Sequence, residues 1–217
     1  MAALQSLEAR AWIVQAEVAH ATGEASMLQA ALLNAPWSPT WETIELIALG
    51  VKSPLARLFP RLCALLDEHS SIVGARLVRL RPGLSRVMPS GEEEDGFVHA
   101  ELAVQLPAGT PRSCGLRVGG ELLAWSKDRF VVVNGSIQQA RWNHTRSDLV
   151  VLVLDLVADN VRYHELARAF CKTTLASMRD RFPAVVRLCG SKQVMSTLSL
   201  MLMPVAWARV QLGWLKS

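Results

Sequence analysis

His99 and Glu101 stand two residues apart in FVHAELAVQLP (97–107), where polar and apolar residues alternate. On an extended chain both side chains leave the same face. An imidazole and a carboxylate so placed supply two of the three ligands of a 2-His-1-carboxylate iron site. His144, 45 residues after His99, could close that set. The plainer alternative pairs Glu101 with Arg76, Arg79 or Arg81 on a neighbouring strand and leaves His144 in an exposed turn. Elsewhere the chemistry is sparse. His20, His69 and His164 are dispersed and form no H-E-x-x-H motif with the other two histidines. Cys63, Cys114, Cys171 and Cys189 lie far apart with no C-x-x-C, which reads as reduced, buried thiols of an intracellular, non-secreted protein. Cys114 and Ser90 have no neighbouring base and no nucleophile-elbow pattern.

The elements that must position these residues change character near residue 72. Residues 2–33 are rich in Ala, Leu, Glu and Gln and read as helix, divided at Gly23. A Pro-rich stop at 34–41 precedes TWETIELIAL, which reads as a short helix with Thr40 at its N-cap. Residues 53–69 read as one helix with Pro54 at its first position and a stripe of Leu55, Leu58, Phe59, Leu62, Leu65 and Leu66. From Ile72 the period is two. IVGARLVRLRPG turns at Pro82-Gly83, and FVHAELAVQLP puts Phe97, His99, Glu101 and Ala103 on one face. GLRVGGELLAW carries a Gly119-Gly120 hairpin, and VVVNGS and DLVVLVLDLV complete the run. Such strands predict an antiparallel sandwich or barrel over roughly 72–157. GEEEDG (91–96) is an acidic loop, and residues 161–182 return to helix.

In order along the chain, LFPRLCALLDEH, GARLVRLRPGLSRVMPS, HAELAVQLP, LRVGGELLAW and VNGSIQQARWNHTRSDLVVLVLD resemble the aspartyl/asparaginyl β-hydroxylase domains. The likeness covers residues 37–157. It implies an α+β protein with a mainly β core, a double-stranded β-helix of jelly-roll or cupin type flanked by N-terminal and C-terminal helices. It also implies ferrous iron and 2-oxoglutarate as the family's cofactors, but the family's working residues are replaced. The first metal histidine, which follows a proline, corresponds to Ser90 in Pro89-Ser90. The second, three residues before the Trp-Asn pair, corresponds to Gln139. The arginine that takes the far carboxylate of the co-substrate, six residues after the Asn, corresponds to Leu149. His99 matches a co-substrate pocket histidine, and Glu101 shares its face. A serine hydroxyl and a glutamine amide are poor donors for ferrous iron, and a leucine offers a carboxylate no cation. The resemblance therefore predicts no bound cofactor, with Gln139 filling or hydrogen-bonding an emptied pocket beside Gln138.

Domain organisation reads as an N-terminal helical segment (1–36), a β-hydroxylase-like domain (37–160) and a C-terminal helical extension (161–217). A net charge of +4 with a single Tyr gives no basic-aromatic surface for nucleic acid. Hydrophobic residues make up 51% and charged residues 19%, which favours a covered partner surface. The segment 194–214 is apolar all round, with Pro204 and Arg209 inside it. Its uncharged run, 194–208, is shorter than the roughly 20 residues that span a bilayer. Its expected cover is the domain's own sheet, a protein partner or a second copy, with a membrane contact the lesser choice. Trp207 and Trp214 are the candidate anchors. Two functions follow: a catalytically inactive β-hydroxylase-like module for binding or structure within a larger assembly, or an active 2-oxoglutarate-dependent oxygenase with an atypical metal site.

Overall fold

Alternating side chains commit each strand to two faces, and in this chain both faces of the central strands are buried. The computed structural model describes residues 2–23, 41–48, 50–88, 97–134 and 137–157. All lie within the first, Met1–Val157, of two units into which the chain divides. Pro89, Ser90, the acidic loop and the segments 161–182 and 194–214, with Trp207 and Trp214, lie outside the described residues.

The chain starts with α1 (Ala2–Glu8) and α2 (Ala11–Gly23). The helical stretch is broken at Ala9-Arg10; α2 runs to Gly23, and the expected continuation to residue 33 lies outside the described residues. The stretch read as a helix after Thr40 is instead a strand, β1 (Trp41–Ala48), followed by β2 (Val51–Lys52). β1 pairs along its length with β3 (Ile72–Leu80), from Trp41 opposite Leu80 to Ile47 opposite Ala75, with a bulge between Glu45 and Ile47. That pairing satisfies the backbone of a segment containing β-branched Thr43, Ile44 and Ile47. Cross-strand packing overrides its helix-like spacing. The predicted helix over 53–69 is two pieces. A 3-10 turn (Pro54–Leu58) is capped by Ser53, whose hydroxyl accepts from the Leu55 N–H, and α3 (Pro60–Asp67) follows.

The strands β3, β4 (Leu84–Met88), β5 (Phe97–Gln105), β6 (Cys114–Val118), β7 (Glu121–Leu123), β8 (Val131–Val133), β9 (Gln139–Asn143) and β10 (Leu149–Val157) complete the β region. Their order is β3-β10-β5-β8 in one sheet, extended by β1 and β2 beside β3, and β4-β9-β6-β7 in the other. Numbered from β3, this is 1-8-3-6 and 2-7-4-5. Consecutive strands alternate between sheets except at the β6–β7 hairpin. That winding is a double-stranded β-helix, with β1 and β2 as additions. The first and last strands begin and end where the alternation predicted. The hairpin turns on Gly119 (φ 57°), with Val118 opposite Glu121, a backbone sign that glycine adopts without steric cost.

Two apolar layers result. Ala75, Leu77, Ala100, Leu102, Val104, Val150, Leu152 and Leu154 face Leu4, Leu7, Val14, Val18, Phe59, Leu62 and Leu66 of the helices and their flanks. Val78, Leu80, Ala103, Val151 and Val153 face Cys114, Leu116 and Trp125 between the sheets. The N-terminal helices are also fixed by polar contacts. The Glu17 carboxylate accepts from the backbone N–H groups of Arg61 (2.8 Å) and Leu62 (2.7 Å) at the start of α3, where helical N–H groups have no internal partner. Glu8 accepts from the Phe130 N–H at 2.8 Å. Among the described residues no helix is long and apolar enough to cross a membrane.

Glu17 acts as a side-chain cap supplied by another helix. Glu17→Ala should therefore lower stability by about 1 kcal/mol, read as a lower urea midpoint at unchanged slope. An unchanged midpoint would show that water replaces the carboxylate without loss.

Candidate functional site in the barrel interior

The inner face of β5 carries His99 and Glu101 into the space between the sheets, where Ala103 packs against the apolar layer. Opposite them, β9 turns Gln139, Arg141 and Asn143 inward. All three are buried, at 2%, 6% and 0% exposure. Three polar groupings result.

The first surrounds Glu101, which is fully buried at 0% exposure. Its carboxylate accepts from Trp125 Nε1 at 2.9 Å and from Arg141 Nε at 3.0 Å, and it pairs with Arg141 Nη2. Arg141 Nη2 also donates to Gln139 Oε1 at 2.8 Å, while Gln139 Nε2 donates to the Asn134 carbonyl at 3.3 Å. The expected partners of Glu101 are thus corrected. Arg76 pairs with Asp155 at 2.7 Å and Arg79 with Asp148 at 3.5 Å, so the cation comes from the facing sheet. A carboxylate with no water needs several donors as well as a countercharge. A forked guanidinium and an indole N–H supply both.

The second lies at the end of the barrel where His99 pairs with Val133 on one side and Asp155 on the other. His99 Nδ1 and Asp155 Oδ1 are 2.8 Å apart, and Arg76 Nη1 donates to Asp155 Oδ2 at 2.7 Å. Glycine at position 74 makes room for this carboxylate, because a Cβ there would lie 2.4 Å from Asp155 Oδ2. The third is at the other end. Asn143 Nδ2 donates to the Leu80 and Ser147 carbonyls (2.9 and 2.8 Å), and its Oδ1 accepts from the Thr145 N–H and hydroxyl (3.1 and 2.6 Å). Both ends of the amide are engaged, so Asn143 is a clasp between strands.

The sequence-predicted residues separate accordingly. His99, Glu101 and Gln139 share the interior. Leu149 is also buried, but among Val78, Leu80 and Val151. It stands six residues, about 20 Å of strand, from Asp155. His144 is exposed, Gln138 is exposed with its carbonyl accepting from Gly119 N–H, and Cys114 is buried. His99, Glu101 and His144 therefore do not converge. Burial pushes the Cys114 thiol up to about 11, which leaves little thiolate for nucleophilic attack.

Iron does not fit this arrangement. At the one family metal position among the described residues, Gln139 turns its amide oxygen to a permanent cation 2.8 Å away. A divalent ion about 4 Å from that guanidinium would be repelled by about 8 kcal/mol at an effective dielectric of 20. Among the described residues no group of three or more His, Cys, Asp or Glu is placed to hold a metal. 2-Oxoglutarate fares no better at Leu149, whose surroundings are apolar.

Arg141, Trp125 and Asp155 are the interior residues that sequence reasoning missed. A carboxylate inside the apolar run LVVLVLDLV was the available signal for Asp155. The signal for Arg141 was inverted, because β9 buries its polar residues between the sheets and turns Ala140 and Trp142 the other way.

The profile of the aspartyl/asparaginyl beta-hydroxylase family matches residues 2–159. No curated protein matches significantly. Among solved structures the chain is similar to the cupin domain of an XRE-family transcriptional regulator from Enterobacter cloacae, at 13% identity over 55% of this chain and 98% of that one (TM-score 0.38). It is also similar to the Cnp3 cupin domain of Schizosaccharomyces pombe, at 12% identity over 58% and 72% (TM-score 0.37). At these scores the neighbours carry no argument, and the fold stands on its strand order.

Burial alone would push the Asp155 carboxyl up. The charge of Arg76, with the hydrogen bond and charge of His99, outweighs burial and brings it from 3.8 down to about 2. A depressed carboxyl contributes stability that is complete above the unfolded value and is lost as pH falls through the folded one. Asp155→Asn should be less stable than the parent by about 2 kcal/mol at neutral pH, with the gap closing between about pH 4 and pH 2. A gap that persists in acid would show that the carboxylate charge is not what Arg76 and His99 require.

Proposed function

Because the chain belongs to the aspartyl/asparaginyl β-hydroxylase family yet ties Gln139 to a buried guanidinium, we propose that it is a β-hydroxylase-fold domain without oxygenase catalysis. It is retained as a binding or structural module of a larger assembly. The Gln139–Arg141 contact carries this reading. It spends the amide oxygen at a family metal position on a protein cation, and that cation is itself held by Glu101. Fold does not bring chemistry with it once the site has changed. The module works inside the cell, consistent with cysteines that stand apart in sequence and with Cys63 and Cys114 buried and free. It engages a protein partner or a second copy through its C-terminal extension, 161–217. That part of the proposal rests on composition: residues 194–214 hold one charge, Arg209, and two tryptophans, Trp207 and Trp214. Such a surface costs about 25 cal/mol per Å² in water and calls for a cover.

Anaerobic titration with ferrous iron and 2-oxoglutarate should show no saturation below about 1 mM, a binding free energy of about −4 kcal/mol. Succinate release should stay at the buffer rate. Tighter binding with turnover would replace this reading with that of an active oxygenase of atypical site. For the extension, deleting residues 194–217 should leave a folded β-domain and abolish assembly seen by light scattering. An unfolded product from a parent that runs as a monomer would place that segment in the protein's own core.

A further inference from the structure

We infer that Arg141 is the resident cation of this barrel: its guanidinium takes, toward Glu101 and Gln139, the electrostatic place of a metal ion. The inference rests on the non-catalytic reading and goes further, because it says what the chain substituted and what would undo the substitution. Glu101 is fully buried, and Arg141 is nearly so. The guanidinium bridges the two residues through Nη2, which pairs with the carboxylate and donates to Gln139 Oε1 at 2.8 Å. A metal bound between an inward carboxylate and an inward side chain at position 139 would make the same two oxygen contacts. Cation and metal would be within repelling distance, so each excludes the other. Trp125 Nε1, at 2.9 Å from Glu101 Oε2, holds the carboxylate toward the centre of the barrel whichever cation it faces.

This arrangement predicts which substitutions restore metal binding. Changing the ligand position alone is not enough, because the guanidinium remains. Gln139→His with Arg141 kept should gain nothing. Gln139→His together with Arg141→Met leaves an imidazole and an uncompensated carboxylate, the donors that suit a first-row transition metal.

The test uses the full chain and Co²⁺ as the probe, read by visible absorption and by melting temperature with and without EDTA. The parent and Gln139→His should show neither absorption bands nor a Co²⁺-dependent melting temperature. Gln139→His/Arg141→Met should bind Co²⁺ at least tenfold more tightly than the parent and melt higher with it. Glu101→Gln/Arg141→Met, which removes both charges, should fold and show no Co²⁺ dependence. Co²⁺ held in the parent's barrel, lost in the Glu101→Gln/Arg141→Met variant, would overturn both this inference and the non-catalytic reading. A folded Gln139→His/Arg141→Met protein without gain in Co²⁺ binding would overturn this inference alone. If Gln139→His/Arg141→Met is unfolded as purified, refolding in Co²⁺ decides. Recovery supports the inference. No recovery overturns it, whether or not Glu101→Gln/Arg141→Met folds, since Arg141 would then serve something other than a cation's place.

Discussion

Glu101 is buried away from bulk solvent, and the interior of this barrel is arranged around its need for a countercharge. The pairing with Arg141 crosses from one sheet to the other, so it fixes the facing of β5 and β9 as well as the state of one side chain. Gln139 and Trp125 complete the donor and acceptor requirements of the pair. A buried ion pair is weak evidence for net stability, since desolvation offsets most of the attraction. Its firmer consequence is register. A slip of β9 by one residue would place Ala140 against Glu101 and turn Arg141 away from it.

How much of this was legible in the sequence depended on whether the hydrophobic pattern and the burial pattern agreed. They agree over most of the run from Ile72 to Val157, where alternation and turn glycines predicted the barrel and the inward face of His99 and Glu101. They disagree in β1, where a bulge between Glu45 and Ile47 breaks the period and lets Ile44, Leu46 and Ile47 all be buried. That spacing imitates a helix. They disagree most in β9, whose inward residues are Gln139, Arg141 and Asn143. A rule that sends apolar side chains inward reads this strand backwards, and the cation that completes the site is the residue it hides.

The family resemblance repaired part of that error and left part in place. Counting from the Trp142-Asn143 pair located Gln139 in the interior without any reference to hydrophobicity. Counting cannot find a residue that the family's site does not use, so the partner of Glu101 was sought among Arg76, Arg79 and Arg81. Arg76 and Arg79 answer to other acids, Asp155 and Asp148. Arg76 completes the Asp155–His99 network, which explains why a carboxylate stands in the most apolar strand of the chain.

The two faces of the central strands are under different constraints, so residues between the sheets can change while the fold is kept. Outside the barrel, Ala100, Leu102, Leu152 and Leu154 bury against the helices, and that apolar area depends on no cofactor. Inside, Arg76 with Asp155 and Arg141 with Glu101 form two pairs in which each guanidinium offsets one carboxylate. Either carboxylate, left in this interior without its guanidinium, would call for another cation. This interior is completed by its own arginines. A divalent ion beside Gln139 would face the Arg141 guanidinium, a repulsion that changing the ligand at position 139 does not by itself remove.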